Sequence, residues 1–189
     1  IGDKGIFIKE LEDALLSAEI DMAIHSMKDM PSELPDGLML SVPLMREDPR
    51  DVLLTPHKIN AIQELPENAV IGTGSKRRTY QLKNIRKDFE VLGIRGNIDT
   101  RIRKMQEDGL DGIVLAAAGL KLIGVYESED YTCMPLDPRY FVSAPAQGIL
   151  AVEISEDNET VKTLIESVSN PVTKAQMRAE RQFLISLKD

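Results

Sequence analysis

The sequence predicts an α/β protein with a regular βα block set inside a second, less regular α/β region. Three observations carry this. Between residues 70 and 122 a short apolar run, a Gly-rich or Arg-Gly-Asn turn and a helix-period segment follow one another repeatedly, the pattern of βα units and mainly parallel strands. Charged or Pro/Gly-rich joints at 46–49 and 144–147 bracket that block. The composition, 42% hydrophobic and 29% charged over 189 residues, supports a real core, and no apolar run approaches the ~18 residues of a membrane span.

Each element has its own warrant. Ile8, Leu11, Ala14 and Leu15 recur at helical spacing, so residues 7–17 read as a helix. Residues 22–25 read as a short buried strand, and Pro31 and Pro35-Asp36-Gly37 break the chain before a strand at 38–44. A strand at 52–54 follows the first joint. Then come strand 70–71 and helix 76–85, strand 91–94 and helix 98–106, and strand 112–115 and helix 116–122. Residues 126–140 are acidic, carry two prolines, lack a period and read as a loop. Strand 150–154 and helix 160–168 follow. Asn170-Pro171 is a helix start, with Val172, Ala175, Ala179, Phe183, Leu184 and Leu187 as its expected apolar face. The organisation expected is therefore residues 1–45 with 148–168 as one domain, 50–143 as a domain inserted in it, crossings at 46–49 and 144–147, and a helix at 170–189. The chain starts at Ile1 without Met and stops just past a helical segment, so parts of a larger protein are expected beyond both ends.

Charge narrows the chemistry. The chain carries 23 basic and 31 acidic residues, a net −8, yet residues 76–104 hold ten bases and three acids. A concentrated basic segment in an acidic protein points to a local anionic ligand. Scarce aromatics, 4% with no Trp, disfavour a nucleic-acid surface. One cysteine and two distant histidines give no disulfide framework and no zinc set. The turn Gly72-Thr73-Gly74-Ser75 leads into Lys76-Arg77-Arg78, three cations where the helix macrodipole prefers acids. An anion would resolve that conflict. Neither a Walker loop nor a dinucleotide fingerprint is present. Arg95-Gly96-Asn97 and Arg101 repeat the arrangement after the next strand, which would put both arginine groups on one rim. In His25-Ser26-Met27-Lys28-Asp29, His25 reads as a satisfied core histidine. Asp29 is a carboxylate at a strand end that could hold a cation or move a proton.

Several segments stand in a recognisable order: Lys4-Gly5-Ile6-Phe7, His25 to Pro31, Arg46 to Asp51, Gly72 to Arg78, Leu92 to Asn97, Thr100-Arg101, Ala117 to Leu120, Pro145 to Gly148 and Ala179-Glu180-Arg181. Together, along essentially the whole chain, they resemble the porphobilinogen deaminase (hydroxymethylbilane synthase) family. The resemblance implies a cytoplasmic, monomeric transferase of tetrapyrrole (heme) biosynthesis. It would join four porphobilinogen units head to tail into hydroxymethylbilane, releasing ammonia, with no nucleic-acid or membrane partner and no metal. It implies two domains like type II periplasmic binding proteins, with mainly parallel mixed sheets, and a third α+β domain lying outside this chain.

The resemblance also implies site roles. Asp29 would be catalytic, facing the pyrrole nitrogens and stabilising the cation left by loss of ammonia. Arg77, Arg78, Arg95 and Arg101 would bind acetate and propionate groups, with Ser26, Lys28, Thr73, Ser75, Gly96, Asn97 and Gln147 completing the substrate and cofactor contacts. Lys4 and Phe7 would end a mobile loop. The dipyrromethane cofactor would be held covalently by a cysteine expected after Asp189, so the chain as given is expected to be inactive; Cys133 does not match that position. Two departures stand inside the motifs: Leu122 where the family often has Arg, and Gly74 where Ser is common. A non-catalytic small-anion binder of the periplasmic-binding-protein type is the alternative, and such a receptor has no need of Asp29.

Overall fold

The computed structural model describes residues 3–42 and 44–187, with side chains described from residue 8 onward. They fall into two units, one of residues 1–47 with 145–189 and the other of residues 48–144.

The first unit opens with α1 (Asp3–Leu16), β1 (Ala23–Ser26) and β2 (Leu38–Ser41). Helix α1 begins four residues earlier than its apolar period indicates, so Lys4 as well as Phe7, the pair expected to end a mobile loop, has helical backbone. Strand β1 is not uniformly buried. Ala23 is covered while Ile24 is 67% exposed, the alternation of a strand with one solvated face.

The second unit contains β3 (Asp51–Thr55), β4 (Val70–Gly72), α2 (Lys76–Ile85), β5 (Glu90–Leu92), α3 (Ile98–Glu107), β6 (Gly112–Ala116), α4 (Ala117–Leu122) and β7 (Thr132–Pro135). Its sheet order is β5-β4-β6-β3-β7. Parallel pairing is confined to β4 with β5 and β4 with β6; β3 runs antiparallel to β6 and β7. The sheets are thus mixed, and the mainly parallel expectation holds only for the βα block. Strand β7 lies inside the segment read as a loop. Its residues are all half-buried, so its edge position leaves no apolar period.

Both faces of this sheet are covered. Leu53, Ile71 and Val114 join Leu82, Phe89 and Phe141 in one cluster. Val52, Leu54, Ile113 and Leu115 join Met105 and Leu120 in another. Successive residues of β3 and β6 enter opposite clusters, as a two-residue period requires, which is why these strands read as unbroken apolar runs.

The chain then returns to the first unit with β8 (Leu150–Ser155), α5 (Glu159–Ser167) and α6 (Pro171–Ser186). Strand β8 is central, antiparallel to both β1 and β2. Asn170 caps α6 by accepting the Thr173 amide at 2.9 Å. The buried stripe of α6 is Thr173 and Met177, not the predicted one: Val172, Phe183 and Leu187 are 65%, 58% and 65% exposed. The helix is turned by what its polar residues hold, described below. No helix among the described residues is long and apolar enough to cross a membrane.

Gly72 ends β4 where the sheet meets its helices. A Cβ there would stand 2.8 Å from Ile113 Cγ2 and 2.9 Å from Leu110 Cδ1. Gly72→Ala should therefore destabilise the chain by ~1–3 kcal/mol through overpacking, read as a lower urea midpoint. An unchanged midpoint would show that these side chains yield freely.

Candidate anion-binding site

The second unit presents two strand-to-helix turns side by side. Strands β4 and β5 are parallel neighbours, and the Thr73 amide donates to the Leu92 carbonyl at 2.8 Å, so both turns leave the same edge of the sheet, where open α/β sheets take ligands. Ser75 caps α2, its hydroxyl accepting the Arg78 amide at 3.4 Å. Asn97 caps α3, accepting the Thr100 amide at 2.8 Å. Gly96 takes φ +125°, and a Cβ there would meet Thr100 Cγ2 at 2.7 Å, so this turn requires glycine. Gly74 is required by close approach: a Cβ would stand 2.9 Å from the Ile94 carbonyl oxygen. The turn has closed to a spacing that serine at this position would open.

The four arginines divide into committed and open. Arg78 is buried. Its Nε and Nη2 donate to Asp51 Oδ1 at 3.0 and 2.6 Å, and its Nη1 donates to the Val114 carbonyl at 2.9 Å. Burial pulls its guanidinium below the usual range, opposed by Asp51, and arginine keeps its charge regardless. Arg77 pairs with the other Asp51 oxygen at 2.7 Å, with its side chain 27% exposed, and also donates to the Val142 carbonyl. Arg95 is exposed. Arg101 is half-exposed, with Nε donating to the Gly96 carbonyl at 2.8 Å, and its charge reaches Arg78. Thr73 is buried and Ser75 half-buried between them.

Asp51 is the residue that sequence reasoning missed. It has no solvent exposure and answers the conflict at the start of α2, which has no acid in its first turn. That conflict calls for an anion, and the structure provides one internally, from β3. Two guanidinium groups share one carboxylate, so the edge keeps a net positive charge after Asp51 is counted.

The first unit carries the other predicted set. β1 ends at Ser26, and Met27–Asp29 form a single 3-10 turn. Met27 is buried and its amide donates to the Ile149 carbonyl at 3.0 Å; this anchors the turn and leaves Ser26, Lys28 and Asp29 exposed. Lys28 Nζ donates to Gln147 Oε1 at 3.3 Å, and Gln147 is buried. Lys28 and Gln147 are thus brought together. His25 bonds Glu153 at 2.8 Å, as a satisfied histidine would, and burial pushes the Glu153 carboxyl up. The side chains of Lys4 and Phe7 lie outside those described. Leu122 is 83% exposed. Cys133 faces the Val125 carbonyl from β7, and burial pushes its thiol up, the opposite of a reactive cysteine.

A family profile described as porphobilinogen deaminase, dipyromethane cofactor binding domain, matches residues 1–163. The porphobilinogen deaminase of Clostridium novyi (strain NT) is 50% identical over 184 residues, covering 97% of this chain and 61% of that protein. That of Syntrophomonas wolfei is 49% identical over 188 residues, covering 99% of this chain and 60% of that protein. The chain thus spans about three-fifths of the length of these curated relatives. Among solved structures, the arginine-specific Salmonella typhimurium periplasmic binding protein STM4351 is similar at 15% identity and TM-score 0.48, over 89% of this chain and 75% of that one. The Bordetella pertussis BvgS periplasmic VFT2 domain is similar at 16% identity and TM-score 0.48, over 91% and 72%.

Asp51→Asn leaves two buried or half-buried guanidiniums without their counter-charge, so it should cost ~3–5 kcal/mol of stability. Replacing Asp51 and Arg78 together by Leu and Met should cost much less, because no orphaned charge remains in that pair. Urea unfolding of both variants is the measurement. Equal losses would show that the triad is not the source of the effect.

Proposed function

The chain belongs to the porphobilinogen deaminase family, and on that premise we propose that it carries the cofactor- and substrate-binding part of a transferase. The reaction joins porphobilinogen units head to tail into hydroxymethylbilane, with loss of ammonia at each step. The observation that carries this reading is the edge where β4 and β5 release Arg77, Arg95 and Arg101. Each pyrrole of such a chain bears an acetate and a propionate. Guanidinium forks match carboxylates two bonds at a time, and a row of them on one edge suits a ligand with carboxylates at intervals.

Roles then follow residue by residue. Arg77, Arg95 and Arg101 offer donors to carboxylates. Arg78 adds its charge from behind and would contact a ligand only by exchanging an existing bond. Thr73, Ser75, Gly96 and Asn97 shape the two turns, holding the cations at fixed positions before a ligand arrives. Ser26 and Lys28 supply a hydroxyl and an ammonium in the first unit, with Gln147 behind Lys28.

Asp29 is the proposed catalytic group. Departure of ammonia leaves a cationic pyrrole, and a carboxylate already fixed beside it lowers the cost of that cation. The 3-10 turn serves this purpose: buried Met27 pins the backbone while Asp29 stays accessible. The same donor set fits the family's dipyrromethane cofactor, which carries the same carboxylates. When bound, that group supplies the pyrrole carbon from which the chain grows. Arg77, Arg95 and Arg101 would hold it through its acetates and propionates. Its covalent anchor is proposed to be a cysteine other than Cys133, whose half-buried thiol is pushed up by burial, away from the reactive range.

In the intact protein, Asp29→Asn should leave KM for porphobilinogen within ~3-fold and lower kcat by ~10²–10³. The assay follows hydroxymethylbilane by porphyrin absorbance after oxidation. Near-normal turnover removes Asp29 from the chemistry. Ligand binding with no turnover by the unmutated intact protein favours the anion-receptor reading instead.

A further inference from the structure

Several polar residues tie helix α6 to the rest of the first unit, among them Arg181, whose Nη1 and Nη2 donate to the Pro31 and Ser32 carbonyls at 2.9 and 2.6 Å, and Glu180. Glu180 receives both ends of the Arg46 fork, Nη1 to Oε1 at 2.5 Å and Nη2 to Oε2 at 3.0 Å. The same Oε2 accepts the backbone amide of Ala146 at 2.5 Å. Arg46 has a third tie, Nε to the Gln147 carbonyl at 2.9 Å, and its backbone amide donates to Thr173 Oγ1 on α6 at 3.0 Å. Gln147 in turn accepts Lys28 Nζ. Glu180, Arg46, Gln147 and Lys28 therefore form one continuous chain of bonds, ending beside Asp29.

The backbone inside this chain is strained. Ala146 has φ +59°, a left-handed conformation that costs a non-glycine residue roughly 1–2 kcal/mol. Such residues persist where their surroundings over-determine them, and they collect at functional sites. Glu180 and Arg46 are those surroundings. Glu180 holds the amide of Ala146, and Arg46 holds the carbonyl of the next residue, so the peptide carrying Gln147 is gripped on both sides. The orientation of the Gln147 carboxamide, and with it the place where Lys28 rests, follows from that grip.

We propose that Glu180 and Arg46 are positioning residues. They act through Gln147 to set Lys28 for the carboxylates of the pyrrole ligand. The proposal rests on the function proposed above and adds two residues that touch no ligand. It also accounts for the rotation of α6, which turns its Thr173–Met177–Glu180 side inward and leaves Val172 and Phe183 exposed.

The test uses the intact protein and two readouts. The first is NMR of the Gln147 carboxamide and the Lys28 ε-methylene, which requires no turnover. Glu180→Gln preserves volume and one acceptor but cannot hold the Arg46 fork, so both signals should move. The second is calorimetric affinity for porphobilinogen in a double-mutant cycle. Glu180→Gln should weaken binding about tenfold when Lys28 is present, and less than about twofold in a Lys28→Gln background. Should Glu180→Gln fail to fold, Arg46→Lys, which keeps the charge and loses the fork, carries the same cycle. Unmoved signals, or equal losses of affinity in both backgrounds, would reduce Glu180 to a structural brace and overturn the inference. An unmutated protein that does not bind porphobilinogen would refute the proposed function, while the NMR comparison would still decide the positioning role.

Discussion

A carboxylate with no access to water holds the strand-to-helix turn at the head of α2 in order. Asp51 opens β3, directly after the chain enters this unit, and meets Arg77 and Arg78 from the first turn of α2. Through Arg78 it also reaches the Val114 carbonyl of β6. One buried anion thus fixes a helix start to two strands, and it lowers the cost of placing three cations against the helix macrodipole. A buried ion pair is weak evidence for stability in itself, since desolvation offsets much of the attraction. Its effect here is to specify geometry. Without it, like charges at the head of α2 would drive the turn apart, and the Ser75 cap would have to hold the helix start alone.

The sequence exposed the parts of this arrangement whose cause is local. The helix at 76–85 and the cap at Asn170 could be read to the residue because caps, turns and periods are short-range. The conflict of charges before α2 was also legible, as a place that needs a negative charge. What it could not say is that the anion comes from residue 51 of the same chain, because the pairing spans 27 positions. Strand β7 was hidden for a related reason. An edge strand with evenly half-buried residues has neither alternation nor an apolar run, and its partner β3 supplies what its own sequence lacks.

Helix α6 shows the opposite failure, a strong local signal overruled. Its apolar residues repeat at helical spacing, yet the helix buries Thr173 and Met177. Burying the Val172–Phe183 stripe would bring ordinary hydrophobic gains of ~1.5–3 kcal/mol per large side chain. Against this stand the forked Arg46–Glu180 pair, the Ala146 amide and the Thr173 hydroxyl, all satisfied only in the observed rotation. Losing them together would leave the largely buried Arg46 guanidinium, the Ala146 amide and the Thr173 hydroxyl without these partners, a combined cost of the same order as the gain from burying Val172, Phe183 and Leu187. Polar bonds with a unique geometry therefore choose the rotation, and non-directional burial follows.

The same logic separates two kinds of cation within each unit. A ligand with several carboxylates needs cations that are open, and open cations on flexible side chains pay for order when the ligand arrives. In the proposed reading this chain reduces that cost by holding each cation through a bond to a fixed acceptor. Arg101 is steadied through the Gly96 carbonyl, Arg77 through one oxygen of a fixed carboxylate, and Lys28 through a buried glutamine. For Arg77 and Arg101 the bonds named here run through one guanidinium nitrogen each. The committed members, Arg78 and Arg46, use their forks fully and lie deeper. Under the proposed function, an arginine's role is decided by how many of its five donors the fold has already claimed, a quantity that spacing in the sequence does not reveal.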